Sequence, residues 1–389
     1  MARQEQAADV GAGRRRIVLF ALPYQGHLGP MFLLAALLLD RGLAVTVLHT
    51  DFNAPDPACH PPDITFIPIH KSAASSCSRP PARRRSTRPW CRCGKTGRTS
   101  HAWCLMRSVS ATASRNILAF PGIRNTGYFP MRDERRDETA PGLEPLRVRD
   151  LIREEWLDEN RMCIFMAQPA DAMRSPMSGV IINTFDAIEA AELDKLQAEL
   201  SLLAFAVGPL HKLSTATAAA KDAFTLRAPH RGCLVWLHAQ PPWSVLYVSL
   251  GSMAMVTRAM FDEIAWGLSA SSVPFLWVVR PGSINGAAGE VDTAAVQPLP
   301  DGVDMSRGMV VPWAPRREVL AHPATGGFGT HCGRNSTLES ICEGVPMLAQ
   351  PCFGDQMVNV RYVTHQWAVG MELSEVFDHA RVAEAVREL

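Results

Sequence analysis

Acidic residues are missing from one long stretch of this 389-residue chain. No aspartate or glutamate lies between Asp63 and Asp133, whereas the same interval holds thirteen lysines and arginines. The net charge of the whole chain is only +1, so the remainder of the sequence is acidic overall. One segment therefore differs in composition from everything around it.

Long hydrophobic runs and disulfide-like cysteine spacings are also missing. No apolar run approaches the roughly 18 residues of a membrane-spanning helix, and the N-terminal run IVLFAL is too short for a signal peptide. The ten cysteines are scattered, as is usual in a reducing compartment. We predict a globular, monomeric protein of the cytoplasm with no membrane span.

Strand and helix patterns alternate in both halves of the chain. RIVLFAL reads as a buried strand, PYQGHLGP as a loop and MFLLAALLLDRG as a helix that closes on Gly42. A second alternating series begins with the strand SVLYVSL at 244–250. The pattern predicts the α/β class, with two Rossmann-like, doubly wound parallel-sheet domains facing across a cleft. We place an N-terminal domain at 1–210, a linker at 211–232 and a C-terminal domain at 233–389.

Residues 71–115 fit neither domain, because they show no helical or strand period and are rich in Arg, Ser, Pro and Cys. A basic arm for nucleic acid is one interpretation, although interleaved aromatic residues are missing. A metal site at Cys91 and Cys93 is another, but the C-x-C spacing is not that of a structural zinc site. We favour a third, an aberrant segment such as a misread frame or splice junction, and expect it to be disordered.

The stretch HCGRNSTLES, residues 331–340, carries the strongest chemical signal. A helix that begins at Asn335 would direct backbone N–H groups and a partial positive charge at an anion. Asn335 and Ser336 can cap this helix or bind the anion, and His331 can donate to a diphosphate oxygen. Glu339, one turn further, can accept both hydroxyl protons of a ribose. The plain alternative is a capped helix with a surface glutamate.

A longer signature surrounds this stretch. Residues 313–356, from WAPRREVLAHP to CFGDQ, resemble the donor-binding signature of plant UDP-dependent glycosyltransferases of family 1. PYQGHLGPM, INTF, VGPL and WLHAQPPWSVLYVSLGSMA agree with it, so the resemblance covers most of the chain except about 71–115. Within the family it resembles the group that acts on benzoxazinones, cytokinins and related small aglycones. It implies a GT-B fold and an inverting transfer from a UDP-sugar co-substrate to a small hydrophobic hydroxylated acceptor, with no metal or other cofactor.

The resemblance also assigns roles to individual residues. The uracil ring would stack on Trp313 and pair with the Ala314 backbone, and Glu339 would hold the ribose. The remaining assignments are His331, Asn335, Ser336 and Ser252 for the diphosphate, Asp355 and Gln356 for the sugar hydroxyls, and Gly354 facing the acceptor.

His27 is the expected general base, in the loop after the first strand. A neutral imidazole there can take the proton of the acceptor hydroxyl as that oxygen attacks the anomeric carbon. In the family an aspartate about a hundred residues downstream orients this base. Here that region is the carboxylate-free interval, so the sequence offers no candidate, and loss of such a group can cost orders of magnitude in rate.

Three further departures concern the signature and the chain end. Arg316 replaces a glutamine that would contact the nucleoside, and Arg334 replaces a tryptophan beside the sugar. We hypothesise that Arg334 pairs with a carboxylate and shifts donor preference from UDP-glucose to UDP-glucuronate. The sequence ends at Leu389, before the C-terminal helix that the resemblance implies. The alternative reading is a catalytically inactive relative that retains at most UDP-sugar binding.

Overall fold

A computed structural model describes residues 16–20, 25–52, 54–69, 104–107, 109–154, 157–174, 179–201, 203–213, 227–285, 297–373 and 378–389. These residues form two compact units. The first contains the described residues up to Cys104, and the second contains Leu105–Leu213 and Thr225–Leu389. The predicted division into an acceptor domain and a donor domain at residue 210 stays a prediction, and residues 71–103 of the aberrant segment lie outside the described chain.

The first unit begins with a βαβ arrangement, as predicted. Strands β1 (Arg16–Phe20), β2 (Ala44–Thr50) and β3 (Ile64–Ile69) pair in parallel in that order, and helix α1 (Gln25–Asp40) connects the first two. The predicted loop at 23–30 is wrong in part, because α1 begins at Gln25 and includes Pro30. Its end agrees with the prediction, since Gly42 follows the helix with a φ of +77°.

The second unit opens with helices and a small sheet. Its elements are β4 (Cys104–Arg107, of which all but Cys104 belong to this unit), α2 (Ala111–Asn125), α3 (Glu159–Arg174), β5 (Gly179–Ile182), α4 (Asp186–Leu200), β6 (Ala204–Ala206) and α5 (Leu210–Leu213), and the strand order is β4-β5-β6. Helix α2 shortens the aberrant segment, because residues 111–115 are helical rather than disordered. Arg115 is buried there and donates to Glu192 at 2.7 Å, Glu199 at 2.7 Å and the Gly142 carbonyl at 2.6 Å.

The rest of the second unit is a larger α/β layer. Its helices are α6 (Gly232–His238), α7 (Arg258–Ser271), α8 (Arg316–Leu320), α9 (Arg334–Glu343), α10 (Gln356–Arg361) and α11 (His379–Glu388). Its strands are β7 (Val245–Ser249), β8 (Val256–Thr257), β9 (Phe275–Val278), β10 (Ile284–Asn285), β11 (Gly308–Val311), β12 (Thr325–Thr330), β13 (Met347–Ala349) and β14 (Gly370–Glu372).

Six of these strands form one parallel sheet in the order β11-β9-β7-β12-β13-β14. From β7, the strands β9 and β11 follow on one side, and β12, β13 and β14 follow on the other. This is the strand order of a dinucleotide-binding Rossmann sheet. Tyr247 on β7 stacks on Phe328 on β12 at 5.1 Å between ring centroids, and both side chains are buried. A stacked pair of buried aromatic side chains therefore packs where the strand order reverses.

The strand predicted at 244–250 is confirmed as β7, which is one residue shorter at each end. Helix α9 begins at Arg334, one residue before the predicted start, because Gly333 with an extended backbone is its N-cap. The sequence did not identify α11, whose Val382 packs so closely on Gly267 of α7 that a Cβ there would lie 2.5 Å away. None of the described helices is long and apolar enough to cross a membrane.

Candidate active site

The carboxyl ends of β7 and β12 meet at the reversal of strand order, where ligands bind in open α/β sheets. His331 follows β12, and its imidazole lies between two glycines. A Cβ on Gly251, after β7, would lie 2.5 Å from His331 Cε1, and a Cβ on Gly333 would lie 2.5 Å from His331 Nε2. Only glycine at both positions leaves room for the ring. The backbone of two loops thus fixes the orientation of this imidazole.

His331 is held in its neutral form. Burial, and then the nearby positive charge of Arg316, lower its pKa to about 3, although a backbone hydrogen bond with Ser249 opposes the shift. A neutral imidazole keeps one N–H donor and one acceptor nitrogen at physiological pH. His331 can therefore offer a hydrogen bond to an oxygen anion without carrying a charge.

The turn between His331 and α9 has unusual backbone geometry. Cys332 is buried with a φ of +57°, a conformation that non-glycine residues adopt at a cost and that clusters at functional sites. The first intrahelical bond of α9 runs from Thr337 N to Gly333 O at 3.0 Å. The amides before it, including those of Asn335 and Ser336, belong to the first turn, which has no intrahelical acceptors. The helix end therefore directs N–H groups and partial positive charge toward His331.

Asn335 and Ser336 are not the residues that cap this helix, because the cap is Gly333 and makes no side-chain bond. Ser336 is buried and Asn335 half-buried in the first turn. Both remain at the helix end where an anion would bind, so their expected role toward a diphosphate stays a prediction.

Glu339 lies on the same helix and is 5% exposed. Its carboxylate is paired twice, with Arg316 Nε at 2.6 Å and Arg317 Nε at 3.3 Å. Burial alone would raise the pKa of Glu339, but the charge and hydrogen bond of Arg316 and the charge of Arg317 outweigh burial and lower it. Glu339 is therefore ionised. A ribose that binds Glu339 shares the carboxylate with the two guanidinium groups of Arg316 and Arg317.

The predicted nucleoside contacts surround this ion pair. Trp313 packs half-buried against the core of the large sheet, and its carbonyl accepts a bond from His230 N at 2.8 Å. Ala314 is 6% exposed and lies two residues before Arg316. Ser252 is half-buried in the loop after β7. Arg316, through its pair with Glu339 and its effect on His331, connects the Trp313 segment to α9 and β12.

The predicted sugar residues lie where α10 begins. Asp355 is the N-cap of α10, and its Oδ2 accepts a bond from Asn359 Nδ2 at 3.2 Å. The same amide donates to the Cys332 carbonyl at 2.9 Å, so Asn359 ties the Asp355 turn to the His331 turn. Gln356 Oε1 accepts from the amides of Cys352 and Phe353 at 2.8 and 3.1 Å. Its amide NH₂ is the part that remains for a sugar oxygen.

Gly354, expected to face the acceptor, has a φ of +68° and pairs with another part of the second unit. Its amide donates to the Arg153 carbonyl at 3.1 Å in an isolated antiparallel bridge. The turn that carries the sugar residues is thus attached to residues 153–154, a contact that sequence reasoning did not identify.

Arg334 has a counter-ion that its sequence context did not reveal. Its Nη2 donates to Glu189 Oε2 at 2.5 Å and to the Asn183 carbonyl at 3.3 Å, and the two charged side chains are 2% and 0% exposed. Glu189 lies on α4 and also accepts from Thr184 Oγ1 at 2.6 Å. The guanidinium Nε and Nη1 have no partner among the described residues. The charge of Arg334 is therefore neutralised inside the protein.

His27, the expected base, lies in the first unit. It is in the first turn of α1 rather than in a loop, and it is half-buried. Its expected role in proton transfer stays a prediction, as does the expectation that the reaction needs no metal. Among the described residues, no group of three or more His, Cys, Asp or Glu side chains could hold a metal ion.

Comparison with known proteins identifies the family of this chain. The family of UDP-glucoronosyl and UDP-glucosyl transferases matches residues 146–389. Two maize (Zea mays) relatives are DIMBOA UDP-glucosyltransferases. BX9 is 41% identical over 418 residues, covering 97% of this chain and 87% of the relative. BX8 is 39% identical over 403 residues, covering 92% of this chain and 86% of the relative.

Solved structures show the same fold. The UGT2 of Phytolacca americana, complexed with UDP-2fluoro-glucose and pterostilbene, superposes with a TM-score of 0.72 at 23% identity, covering 97% of this chain and 90% of that one. Os79 from O. sativa, in complex with UDP, superposes with a TM-score of 0.68 at 24% identity, covering 96% of this chain and 90% of that one. The fold is therefore of the GT-B type. From the family match and the maize relatives together, this chain belongs to the plant family 1 UDP-glycosyltransferases, enzymes that move a sugar from a UDP-sugar to small plant metabolites.

Proposed function

We propose that this protein transfers glucose from UDP-glucose to a hydroxyl of a small hydrophobic metabolite, with inversion and with His27 as the base. The observation that carries the proposal is the placement of His331, the α9 helix end and Glu339 around one reversal of strand order. A helix end and a neutral imidazole suit a diphosphate, and a buried ionised carboxylate suits a ribose. Benzoxazinones are the first acceptors to examine, since both maize relatives are named for DIMBOA.

Purified protein, UDP-glucose and a panel of hydroxylated acceptors that includes DIMBOA test the proposal. Product should form, and the donor's α-linkage should become a β-glucoside by NMR. His27→Ala should abolish turnover but leave the thermal shift caused by UDP intact, because UDP binds residues of the second unit. Glu339→Ala should remove the thermal shift. A His27→Ala variant with full activity would overturn the role of the base.

We propose glucose rather than glucuronate because Glu189 already neutralises Arg334. A second carboxylate, from UDP-glucuronate, would add a net negative charge beside a fully buried ion pair, and burying an unpaired charge is costly. The hypothesis that Arg334 favours UDP-glucuronate is tested by comparing kcat/KM for both donors in the wild type and in Arg334→Trp. An unchanged ratio removes that hypothesis, whereas a wild type that prefers UDP-glucuronate contradicts the proposal of glucose.

An inactive relative that binds only UDP-sugar is the second candidate. The observation that favours it is the carboxylate-free interval, which offers no aspartate to orient His27. A UDP-induced rise in melting temperature without product from any acceptor would support it. Product formation would exclude it. Salt-sensitive binding to RNA or DNA would instead support the basic segment as a nucleic-acid arm.

The proposed working state is a monomer in the cytoplasm. Five described cysteines, at 163, 233, 332, 342 and 352, are free thiols, which suits a reducing compartment. Light scattering of the purified protein and a fluorescent fusion in plant cells test the two parts of this proposal.

A further inference from the structure

Glu154 lies beside the turn that carries the predicted sugar residues. The backbone bridge between Arg153 and Gly354 holds residues 153–154 against this turn. Glu154 Oε1 lies 3.2 Å from the position that a Cβ on Gly354 would occupy. Asp355 follows directly, and its charge acts on the Glu154 carboxyl. Glu154, Asp355 and Gln356 therefore border one small region of the second unit.

The carboxyl group of Glu154 is buried without a counter-ion or donor for one of its oxygens. The residue is 9% exposed, and its Oε2 has no hydrogen-bond partner among the described residues. Buried polar groups in folded proteins are almost always paired, and an exception needs an explanation such as a missing ligand. Burial, and then the negative charge of Asp355, raises the pKa of Glu154 to about 7.

A purely structural carboxylate in the same segment looks different. Asp150 is also buried, but it accepts from the Arg147 amide at 2.8 Å and from both Nε and Nη2 of Arg147 at 2.9 Å. Arg153, the nearest cation in sequence to Glu154, directs Nη1 to the Arg149 carbonyl at 2.7 Å. The segment thus contains one carboxylate whose oxygens are paired within the fold and one whose Oε2 has no partner among the described residues.

We propose that Glu154 binds a hydroxyl group of the transferred sugar, together with Asp355 and Gln356, and so contributes to donor specificity. This inference rests on the proposed function, because it places the sugar of the UDP-sugar at the α10 turn. Gln356 can donate through its NH₂ only, and Asp355 accepts. A third oxygen-bearing side chain beside them adds a contact that UDP alone would not make.

The test compares UDP with UDP-glucose, since only the latter carries the sugar. Calorimetry should give Glu154→Ala the wild-type Kd for UDP and a Kd for UDP-glucose raised about tenfold or more, the loss expected for a hydrogen bond that involves a carboxyl group. The KM for UDP-glucose should rise in parallel. Glu154→Gln keeps an acceptor and a donor in the same volume and should stay within about threefold of the wild type.

Glu134→Ala is the matched control, because Glu134 is an exposed carboxylate upstream in the same unit. The Kd values of Glu134→Ala for UDP and for UDP-glucose should both equal those of the wild type. If Glu154→Ala weakens UDP and UDP-glucose equally, or changes neither, Glu154 is structural and the proposal is overturned. If the alanine variant does not fold, a glutamine variant with weaker UDP binding overturns it as well.

The binding experiment does not require turnover, so the two proposals fail separately. Absence of product from every donor contradicts the proposed function but leaves the two dissociation constants measurable. UDP-xylose, which lacks the hydroxymethyl group, and UDP-galactose, with an inverted 4-hydroxyl, test whether Glu154 contacts either of these two groups. The donor that lacks the Glu154 contact should be insensitive to Glu154→Ala. Equal sensitivity of all three donors would contradict a contact with either group.

Discussion

Arg334 and Arg316 show at the residue scale how two substitutions in a signature acquire partners elsewhere in the fold. Arg334 pairs with Glu189, 145 positions away, and Arg316 pairs with Glu339, 23 positions away. Both carboxylates are almost fully buried. Because a guanidinium can be buried only with a counter-charge, the effect of each arginine depends on which carboxylate lies beside it in the fold, and the order of residues in the signature does not show that pairing.

Glu189→Gln should destabilise the protein by roughly 3–5 kcal/mol, because it leaves the Arg334 guanidinium buried without a counter-charge. Urea unfolding measures this loss. The double variant Glu189→Gln with Arg334→Met should be more stable than Glu189→Gln alone, since it removes both charges. A single variant within about 1 kcal/mol of the wild type would show that the pair is not needed.

Arg316→Gln should strengthen UDP binding. It removes one of the two cations that occupy Glu339, and the carboxylate then accepts ribose hydroxyls with less competition. We expect a gain of about 1 kcal/mol, roughly fivefold in Kd, by calorimetry. Arg307→Gln, at an exposed arginine, is the control and should leave Kd unchanged. Weaker binding by Arg316→Gln would mean that Arg316 itself contacts the nucleotide.

At the scale of elements, the start of α9 combines an unusual turn with a helix end. Cys332 has a left-handed backbone, and Gly333 is the N-cap of the helix. The His331 imidazole occupies the space beside Gly251 and Gly333, where neither residue has a Cβ. The sequence predicted a helix here because polar residues precede an apolar face. It placed the start at Asn335, since asparagine is a common cap, whereas the close approach of His331 requires Gly333 in that position.

Gly333→Ala should displace the His331 imidazole and weaken UDP binding by tenfold or more, while the fold is retained. The physical reason is the 2.5 Å separation between the new Cβ and His331 Nε2, which forces the ring to move. Gly122→Ala is the control, because a Cβ on this helical glycine has nothing within 4 Å. It should raise stability by about 0.5–1 kcal/mol and leave UDP binding unchanged. Equal UDP affinity in both variants would contradict a role for the His331 position.

At the scale of the whole molecule, buried titratable groups make stability depend on pH in opposite directions. Burial lowers the pKa of His211 to about 4, although Glu339 opposes the shift, and His331 is lowered to about 3. Both stay neutral in the folded state but take up a proton on unfolding, so stability is lost as pH falls below about 6.5. Glu154 has the opposite effect, because its pKa is raised in the folded state. Its contribution to stability is lost as pH rises from 4.5 through its folded pKa of about 7.

His211→Gln isolates one of these contributions. Between pH 6 and pH 4.5 the wild type should lose roughly 1.4 kcal/mol per pH unit more than the variant, the value for one proton. Urea unfolding at several pH values gives the difference, and Glu154 and His331 cancel because both proteins contain them. A difference that does not vary with pH would show that His211 titrates normally in the folded protein.

The α/β class, most strands of the large sheet and the donor signature could be predicted from sequence, because apolar period and turn residues act over a few positions. The first helix ends before Gly42, as predicted, for this reason. Helix α2 was assigned in part to the aberrant segment, since its buried Arg115 looks like one more basic residue until Glu192 and Glu199 lie beside it. The helix was missed because the ion pairs that bury its arginine join residues far apart in the sequence.

The sequence by itself determined the family, most of the strands and helices, and the polar residues available for a UDP-sugar, because these depend on local chemistry over a few positions. Only the tertiary structure decided which charges meet. It paired Arg334 with Glu189 and Arg316 with Glu339, and it brought Glu154 to the Gly354 turn. The free energy of a buried charge depends on what surrounds it in space, and residues far apart in the chain supply those surroundings.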